Sequence, residues 1–539
     1  MLQLSSLHRS IQGKKTLVEN LPQLIANLQK PDSYDHPTTQ FSVIETHISY
    51  VILTGTYVYK IKKPLNLEFL NFSTLAKRLF YCQEEIRLNK KMAPDIYLEV
   101  VKITGDYHNP KINGNGKTIE YAVKMCEFPQ DAIFAQLLDK QQLTLDMIRQ
   151  TAQRIAQFHE SAPLALADNP YGTYLQVHKP VEQNFNQIRP FLSTSQDIKD
   201  LALVSQWADQ EHQRWLSLFR ERKQNNFIRE CHGDIHLGNI ALVNGEPVIF
   251  DCIEFNDSLR WTDTMADLAF LAMDLEDKGQ LVFANQIVSD YLQATQDYSG
   301  LRILPYYKSY RAVVRAKIAL YQRIQQKNSA AQRISWQHYQ DCMQLAIRYC
   351  KSKKNVLIIM YGLPGCGKTT VAEYLVQHAS FIHISSDITR KQLSGLAITS
   401  KNKLAIYKGI YRPEITEQVY QHMHHTAQLI LQAGYSVVVD ATFIKRQHRN
   451  AYRHLAETHG VPFKILHIDA EEAIIFSRLQ KRQQQTQQIS EAGEDIYHVL
   501  KADLEVLAED ESNYTIKIDM STSAEPYQSL EALIKALEL

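Results

Sequence analysis

A glycine-rich string directly after an apolar run places the strongest limit on how this 539-residue chain can fold. The run 356–361 reads as a buried strand, and Gly362-x-x-x-x-Gly367-Lys368-Thr369 leads from it into a helical pattern. Backbone N–H groups of such a loop surround a phosphate group, and the helix N-terminus adds its positive dipole end. Strand and helix patterns then alternate, which predicts an α/β domain with a doubly wound parallel sheet between two layers of helices.

A second string runs His-Gly-Asp234-x-His-x-x-Asn239 and is followed by an apolar run that ends at Asp251. Transfer of a γ-phosphoryl group to a hydroxyl needs one carboxylate to orient the hydroxyl and accept its proton. It also needs a second carboxylate and an amide to hold magnesium. The string supplies these groups in that order. This string and the glycine-rich loop belong to unrelated ways of holding a nucleotide, so one site cannot explain both. The sequence therefore predicts two nucleotide sites in two kinase-type domains.

A short basic segment, residues 351–354, divides the chain into two patterns. Before it, residues of about 25–128 have mostly strand patterns with one helix, and about 129–350 are mainly helical. We therefore predict a first α+β domain over 1–350, with a small lobe and a helical lobe, and a P-loop domain over 355–539. The elements predicted in the small lobe are a helix at 15–30, two strands within 41–63, a helix at 75–92 and strands at 97–103 and 119–125.

The charge and cysteine content exclude some classes of protein. With 59 Lys and Arg against 58 Asp and Glu, general binding to nucleic acid is not favoured, although a local basic cleft stays possible. No apolar run approaches the roughly 20 residues of a membrane helix, so we expect no membrane association. Seven scattered cysteines lack the spacing of disulfide scaffolds or zinc sites, which predicts reduced thiols and a cytoplasmic location. The oligomeric state stays open.

The second string and the lobe before it resemble the aminoglycoside phosphotransferase family over roughly residues 25–345. This resemblance implies the two-lobed protein-kinase-like fold. It also implies that Asp234 is the catalytic base and that Asn239 and Asp251 hold magnesium. By the same resemblance, Lys60 contacts the α and β phosphates of ATP from a strand.

Lys60 needs a carboxylate partner, and the helix that follows offers two. When Glu85 is placed on the inner face, apolar residues three and seven positions further on share that face, so we favour Glu85 over Glu84. Lys62 points to the same side of its strand as Lys60 and stays a rival for the phosphate contact.

Four further polar residues match the family pattern around this site. We interpret His232 and His236 as residues that shape the loop rather than perform chemistry. Asp263 and Asp267 match the family's acidic pair, and we interpret Asp267 as a helix-start or loop-bracing group rather than a metal ligand.

A basic helix face bears on the acceptor of the first site. Lys308, Arg311 and Arg315 share one face, downstream of the catalytic string, where this family binds its acceptor. Because aminoglycosides are polycations, a basic face instead suggests an anionic or neutral acceptor. Arg311 and Arg315 are therefore candidate acceptor contacts, and a solvated helix face is the alternative.

In the glycine-rich loop, Lys368 is predicted to bridge the β and γ phosphates and Thr369 to ligate magnesium. Asp440 ends an apolar run, and a carboxylate at the C-terminal end of a parallel strand faces the ligand crevice, so we predict a metal contact through water. Cys366 is either inert or reactive through a pKa lowered by the helix N-terminus. The residues predicted to bind nucleotide here are Gly362, Gly365, Cys366, Gly367, Lys368, Thr369 and Thr370.

The string Ser385-Ser-Asp387-Ile-Thr-Arg390, together with Asp440-Ala-Thr-Phe, resembles the P-loop kinase group that includes polynucleotide 5′-kinases and zeta-type toxins. The resemblance implies that Asp387 activates the acceptor hydroxyl and that Arg390 binds a phosphate of the acceptor. Asp387 could instead serve only as a helix N-cap.

Three more arginines are candidates in the second domain. Arg478 and Arg482 are four residues apart and face one way, as a lid that closes on the triphosphate requires. An exposed helix face is the alternative for this pair. Arg449 is a further candidate acceptor contact.

The layout as a whole resembles bacterial proteins in which an aminoglycoside-phosphotransferase-like domain precedes a P-loop ATPase or kinase domain. It implies an ATP- and Mg²⁺-dependent phosphotransferase with two sites that acts on hydroxyl acceptors, but it brings no known substrate. From the basic helix face we expect a small molecule rather than an aminoglycoside drug. Two alternatives stay open. The P-loop domain could be an ATP-controlled switch in a regulator, or the chain could be a nucleic-acid 5′-end kinase.

Overall fold

The computed structural model describes residues 21–67, 70–166, 168–352, 354–396, 412–484, 493–522 and 525–537, without the side chains of 482–484 and 525. The chain forms two compact units. The first comprises Met1–Gln183 and Leu216–Asp274, and the second comprises Asn184–Trp215 and Leu275–Leu539. Helices from before residue 350 therefore share a unit with the P-loop sheet. The predicted boundary at 351–354 separates two sequence patterns and stays a prediction.

Among the described residues, the first unit contains a six-stranded antiparallel sheet with the order β1-β2-β3-β8-β6-β7. Side chains alternate across its strands, so that Tyr59 and Ile61 pack under the first helix with Leu24 and Ile25, while Lys60 and Lys62 point the other way. The elements of this region are α1 (Leu21–Asn27), β1 (Ser42–Glu45), β2 (Ser49–Leu53), β3 (Tyr57–Lys62), β4 (Asn66–Leu67), β5 (Leu70–Asn71), α2 (Leu75–Asn89), β6 (Tyr97–Gly105), β7 (Pro110–Ile112) and β8 (Thr118–Cys126).

The small lobe differs from the prediction in its details. Three strands, rather than two, occupy residues 41–63, because a second turn near residue 47 separates β1 from β2. The turn-rich segment between the two long strands pairs with β6 as β7. The predicted helix over 15–30 is described from Leu21 onward, and residues 1–20 lie outside the described residues.

The rest of the first unit is mainly helical and carries the catalytic string between short strands. The apolar helix over residues 264–277, α9, is buried on nearly every side, as its composition requires. The elements are α3 (Phe134–Asp139), α4 (Leu145–Ser161), α5 (Tyr174–Ile188), α7 (Leu216–Gln224), β9 (Ile228–Glu230), β10 (Ile240–Val243), β11 (Glu246–Ile249), α8 (Asp257–Arg260), β12 (Trp261–Asp263) and α9 (Thr264–Asp277). The first unit ends within α5 at Gln183 and within α9 at Asp274, and α6 (Ser195–Arg214) belongs to the second unit.

The second unit contains a parallel sheet, five-stranded among the described residues, with the order β14-β15-β13-β16-β17. Its central strands are continuous apolar runs because helices cover both faces. The elements are α10 (Leu281–Thr295), α11 (Leu304–Gln325), α12 (Ser329–Tyr349), β13 (Leu357–Tyr361), α13 (Lys368–Ala379), β14 (Ile382–Ser385), α14 (Ser386–Leu393), α15 (Pro413–Gln432), β15 (Val437–Asp440), α16 (Arg446–His459), β16 (Phe463–Asp469), α17 (Glu472–Gln484), α18 (Glu494–Ala502), β17 (Thr515–Asp519) and α19 (Glu525–Ala536).

The doubly wound sheet thus agrees with the predicted fold class, and the strand predicted over 356–361 is observed as β13, one residue shorter. Among the described residues, no helix combines the length and apolar character needed to cross a membrane.

Candidate active sites

Five charged side chains form a continuous chain of ion pairs in the first unit. The ammonium group of Lys60 lies 2.8 Å from Glu85 and 2.5 Å from Asp251. Lys62 lies 2.5 Å from the other oxygen of Glu85 and pairs on its far side with Glu254. β3 supplies both lysines, since residues two apart on a strand share a face, and α2 supplies Glu85 from its inner side.

The two lysines therefore occupy different places around Glu85. Lys60 is the one that reaches Asp251, the predicted metal ligand, whereas Lys62 is fully buried behind it. Glu84 does not contact either lysine and pairs with Arg87 on the more exposed side of α2. The structure thus confirms Glu85, rather than Glu84, as the carboxylate partner of Lys60, while the phosphate contact by Lys60 stays a prediction.

Charge pairing in this cluster offsets the cost of burial. Burial alone would lower the pKa of Lys60, but the carboxylates of Asp251 and Glu85 raise it well above its usual range. Burial would raise the pKa of Glu85, but the two lysines lower it to about 2. For Glu254 burial prevails and raises the pKa, because Lys62 is its one ion-pair partner within the described ranges. Sequence reasoning missed Glu254, although its place three residues after Asp251 was a signal.

The catalytic string folds into a loop in which Asp234 and Asn239 meet. The amide group of Asn239 donates to the backbone carbonyl of Asp234 at 3.0 Å and to its carboxylate at 3.2 Å. His236 brings Nε2 to 3.5 Å from the same carboxylate, while its Nδ1 accepts the N–H of Gly238. The carboxylate of Asp234 is 37% exposed, so an acceptor hydroxyl can approach it.

His232 shapes this loop from inside. Its Nδ1 accepts the N–H of Asp234 at 3.2 Å, so the proton lies on Nε2, which donates to the carbonyl of Phe250 at 2.9 Å. Burial lowers the pKa of His232, which favours the neutral ring that this pattern requires. The geometry agrees with the predicted structural role.

Asp251 follows β11 in a left-handed backbone conformation with φ of +64°. Such a conformation is costly for a non-glycine residue and is often found at functional sites. The hydroxyl of Tyr97 accepts its N–H at 3.1 Å, and the preceding residue, Phe250, donates its N–H to the carbonyl of Asn239 at 3.0 Å. Asp251 and Asn239 thus lie on adjoining backbone and offer oxygen atoms, the ligands that Mg²⁺ prefers.

The acidic pair downstream braces the loop and its surroundings. Asp267 accepts the N–H groups of His232 and Gly233, each at 2.8 Å, which agrees with the loop-bracing interpretation. Asp263 forms a buried bidentate pair with Arg222, with both distances at 2.7 Å. Both aspartates are fully buried.

The basic face of α11 is largely enclosed by the fold. Lys308 and Arg311 are 9% and 6% exposed, so this is not a solvated helix face. Lys308 pairs with Glu276, and Arg311 stacks on the ring of Tyr310. Because Lys308 is neutralised inside the second unit, its charge gives no support for an anionic acceptor. Arg311 and Arg315 as acceptor contacts stay predictions.

The glycine-rich loop joins β13 to α13, as the sequence predicts. Gly367, with φ of +110°, precedes the helix in a conformation open mainly to glycine. A Cβ atom on Gly362 would lie 2.3 Å from the carbonyl oxygen of Ile468. Lys368 folds over the loop and donates to the carbonyl of Leu363 at 2.9 Å. The loop residues Gly362, Gly365, Cys366, Gly367, Lys368, Thr369 and Thr370 run from the strand end into the first turn of α13.

Cys366 is 1% exposed, and burial raises the pKa of its thiol more than nearby Lys368 lowers it. The inert alternative therefore fits the structure better than a reactive thiolate.

Thr369 and Asp440 meet at the C-terminal edge of the parallel sheet. The hydroxyl of Thr369 donates to the carboxylate of Asp440 at 2.7 Å. Burial would raise the pKa of Asp440, but nearby His383, Lys368 and Thr369 lower it, so the carboxylate is ionised. A hydroxyl and an ionised carboxylate are a suitable oxygen set for a divalent metal ion. His383, whose Nε2 lies 3.4 Å from Asp440, was missed; a histidine within a buried strand was the available signal.

Asp387 and Arg390 lie on α14, next to this edge. The N-cap of α14 is Ser385, which accepts the N–H of Ile388, whereas Asp387 is in the first turn. The alternative that Asp387 serves only as the N-cap is therefore wrong. Arg390 is 8% exposed and donates to the hydroxyl of Thr416 at 3.1 Å. Their roles toward an acceptor stay predictions.

The arginines of the second domain have unlike surroundings. Arg478 reaches the glycine-rich loop, donating to the carbonyl of Cys366 at 3.3 Å and to that of Met520 at 2.7 Å. Arg482 lies on the same helix, but its side chain is outside the described residues.

Arg449 requires a correction. It is 1% exposed and forms a bidentate pair with Glu511 at 2.7 and 2.9 Å, and its remaining terminal nitrogen donates to backbone carbonyls, including that of Phe443. Because the guanidinium group is enclosed and fully engaged, the structure does not support an acceptor contact by Arg449.

Comparison with known proteins assigns both regions. Residues 135–304 match the family model described as "Phosphotransferase enzyme family", and residues 357–507 match that described as "AAA domain". The chain is a kinase that joins a phosphotransferase domain to a P-loop domain. Kinases of these families use ATP with a divalent metal ion.

Relatives share most of the length of this kinase. Over 432 residues it is 28% identical to the uncharacterised proteins Rv2004c of Mycobacterium tuberculosis and Mb2027c of Mycobacterium bovis, which covers 79% of this chain and 84% of each relative. A choline/ethanolamine kinase family protein from Mesorhizobium loti is 11% identical with a TM-score of 0.38, covering 61% of this chain and 98% of that one. A sugar kinase from Janibacter sp. HTCC2649 is 21% identical with a TM-score of 0.26, covering 34% and 95%.

Proposed function

We propose that this kinase transfers the γ-phosphoryl group of ATP to hydroxyl acceptors at two Mg²⁺-dependent sites, one in each compact unit. The observation that carries the proposal is that each unit places a lysine and a carboxylate beside oxygen atoms of the kind that Mg²⁺ prefers. Asn239 and Asp251 would hold Mg²⁺ in the first unit, and Thr369 and Asp440 in the second. Bound there, the ion would neutralise negative charge on the phosphate oxygens.

At the first site, Asp234 would orient the acceptor hydroxyl and accept its proton. Asn239 and His236 support this role because they fix its carboxylate from two sides. Lys60, fixed by Glu85, would contact the α and β phosphates of ATP.

At the second site, Lys368 and the loop N–H groups would hold the β and γ phosphates. Asp387 would activate the acceptor hydroxyl and Arg390 would bind the acceptor. Arg478 already lies against the loop, which supports a part in neutralising charge on the transferred group, and Arg482 would assist it.

The test is ATP turnover by the full chain with a metabolite fraction from cells, for wild type, Asp234→Ala, Lys368→Ala and the double variant. Two working sites predict that each single change removes a separate part of the acceptor-dependent turnover and that the double change removes all of it. If Lys368→Ala abolishes everything and Asp234→Ala nothing, the first domain is a binding module and the two-site proposal fails. Mass spectrometry of the labelled product identifies each acceptor.

We propose small molecules as the acceptors, because the formal net charge of +1 gives no general attraction for nucleic acid. Binding of a 5′-hydroxyl oligonucleotide that weakens steeply with salt would instead favour a nucleic-acid end kinase. ATP hydrolysis without any acceptor product would favour a regulator. The seven cysteines are all free thiols, which supports a reducing compartment such as the cytoplasm.

A further inference from the structure

α10, which precedes the predicted domain boundary, contacts the P-loop sheet through polar side chains. Asn285 donates to the carbonyl of Gln377 at 3.1 Å and accepts the hydroxyl of Ser380 at 3.0 Å. The side chain of Gln377 in turn donates to Gln286 at 3.0 Å. These contacts hold the C-terminal end of α13, the helix that begins at the glycine-rich loop, and all of them lie within the second unit.

Gln293, two turns further along α10, contacts two other elements of the P-loop domain. Its side-chain amide nitrogen lies 3.4 Å from Nδ1 of His383 on β14, and its backbone carbonyl accepts the side-chain N–H of Gln392 at 2.9 Å. Ser289, one turn before it, accepts the backbone N–H of His383 at 3.5 Å. Gln293 therefore touches both β14 and α14, the helix that carries Asp387.

The far side of the His383 ring faces the candidate metal site. Because an amide N–H can only donate, the contact with Gln293 leaves Nδ1 as the acceptor and the proton on Nε2. Nε2 is buried, has no hydrogen-bond partner among the described residues, and lies 3.4 Å from the oxygen of Asp440 that also accepts the Thr369 hydroxyl. His383 and Asp440 are 4% and 6% exposed, so this row of contacts is shielded from water.

We propose that Gln293 and His383 are positioning residues of the P-loop site. Gln293 fixes the tautomer and orientation of the His383 ring, and His383 fixes the carboxylate of Asp440 beside Thr369. The backbone carbonyl of Gln293 also holds α14. A helix encoded before the P-loop domain is thus part of the support of its metal site, and this inference rests on the proposed function of that site.

The experiment uses the full chain in an Asp234→Ala background, so that turnover at the first site does not contribute. Gln293→Leu, His383→Asn and the double variant are compared for kcat, for the Mg²⁺ concentration at half-maximal rate, and for ATP affinity with EDTA or with Mg²⁺. Loss of a residue that orients a metal ligand typically costs about 10–100-fold in metal affinity or activity. We expect either single change to lower Mg²⁺ affinity or kcat about tenfold, and the double variant to lose no more than that. ATP affinity in EDTA should stay unchanged.

Asn285→Ala is the matched control, because it weakens the same contact between α10 and the P-loop domain without touching His383. It should leave the Mg²⁺ dependence unchanged. Equal effects of Asn285→Ala and Gln293→Leu, additive effects of Gln293→Leu and His383→Asn, or no effect of Gln293→Leu would each overturn the proposal. If Gln293→Leu does not fold, Gln293→Glu takes its place in the test. This change keeps the size of the side chain but removes the amide donor, so it should weaken the Mg²⁺ dependence in the same way.

The binding measurement separates this proposal from the proposed function. If the full chain with Asp234→Ala shows no acceptor-dependent turnover, the proposed function of the P-loop site is wrong. The gain in ATP affinity on adding Mg²⁺ would still report on Asp440 and Thr369. That gain should shrink about tenfold in Gln293→Leu and stay intact in Asn285→Ala. An undiminished gain in Gln293→Leu refutes the positioning role whatever the protein catalyses.

Discussion

Replacement of Lys62 by methionine tests the buried charge cluster of the first unit. The cluster has three carboxylates and two ammonium groups, and the side chain of Lys62 is 0% exposed between Glu85 and Glu254. Lys62→Met leaves Glu254, whose side chain is 3% exposed, without its cation, while Glu85 keeps Lys60. Removing one partner of a buried pair costs about 3–5 kcal/mol, because the other charge stays buried and uncompensated.

This loss is large enough to measure by calorimetric melting of the full chain. About 3–5 kcal/mol lowers the Tm of a unit of this size by roughly 6–20 °C. Adding Glu254→Gln to Lys62→Met removes the uncompensated charge and should recover most of the loss. Glu84→Gln is the control, since its pair with Arg87 is partly exposed and worth less than about 1 kcal/mol.

The pH dependence gives a second check on the reasoning. Burial raises the pKa of Glu254, and the loss of Lys62 raises it further. A carboxyl group whose pKa is higher in the folded state than in the unfolded state destabilises the fold only when it is ionised. The free energy of unfolding is therefore highest below the unfolded pKa and falls as pH rises through the folded pKa. The deficit of Lys62→Met should therefore be smaller at pH 5 than at pH 8. A deficit that grows toward pH 5, or a double variant no more stable than Lys62→Met, would refute the account.

Three further outcomes are expected. Arg449→Lys should lower the free energy of unfolding by about 2 kcal/mol, because one ammonium group cannot replace the bidentate pair with Glu511. The KM for the acceptor should stay unchanged, and a raised KM with normal stability would restore the acceptor role. Asp440→Asn should reduce the Lys368-dependent turnover at least about 100-fold while ATP affinity in EDTA persists, and activity within a few-fold of wild type would contradict a metal role. Cys366 should resist alkylation at pH 7 in the native protein, as mass spectrometry can show, because burial raises the pKa of its thiol.

Local patterns were sufficient for the elements and for part of the site. Period-two alternation on β3 placed Lys60 and Lys62 on one face, and the helical phase of α2 placed Glu85 opposite them. Neither pattern could tell which lysine reaches Asp251, because that depends on how the sheet packs against a loop 191 residues away in sequence. The same limit hid Glu254 and His383, whose partners come from distant segments.

Arg449 and the basic face of α11 show the opposite failure. The place of Arg449 near the Asp440-Ala-Thr-Phe string and the helical spacing of the α11 residues suggested contacts with an acceptor. Glu511 and Glu276, however, neutralise Arg449 and Lys308 inside the fold. Helical spacing fixes which residues share a face, not whether that face meets solvent or a buried carboxylate.

The sequence by itself determined the glycine-rich string, the His-Gly-Asp234 string, the alternation that builds the parallel sheet, and the likeness to two kinase-type domains, because these depend on residues close together in the chain. The tertiary structure decided the order of charges along Asp251, Lys60, Glu85, Lys62 and Glu254, and the contact of α10 with the strand that carries His383. Such pairings are set by long-range packing, which brings side chains from separate elements within hydrogen-bonding distance and selects among partners that local patterns leave equivalent.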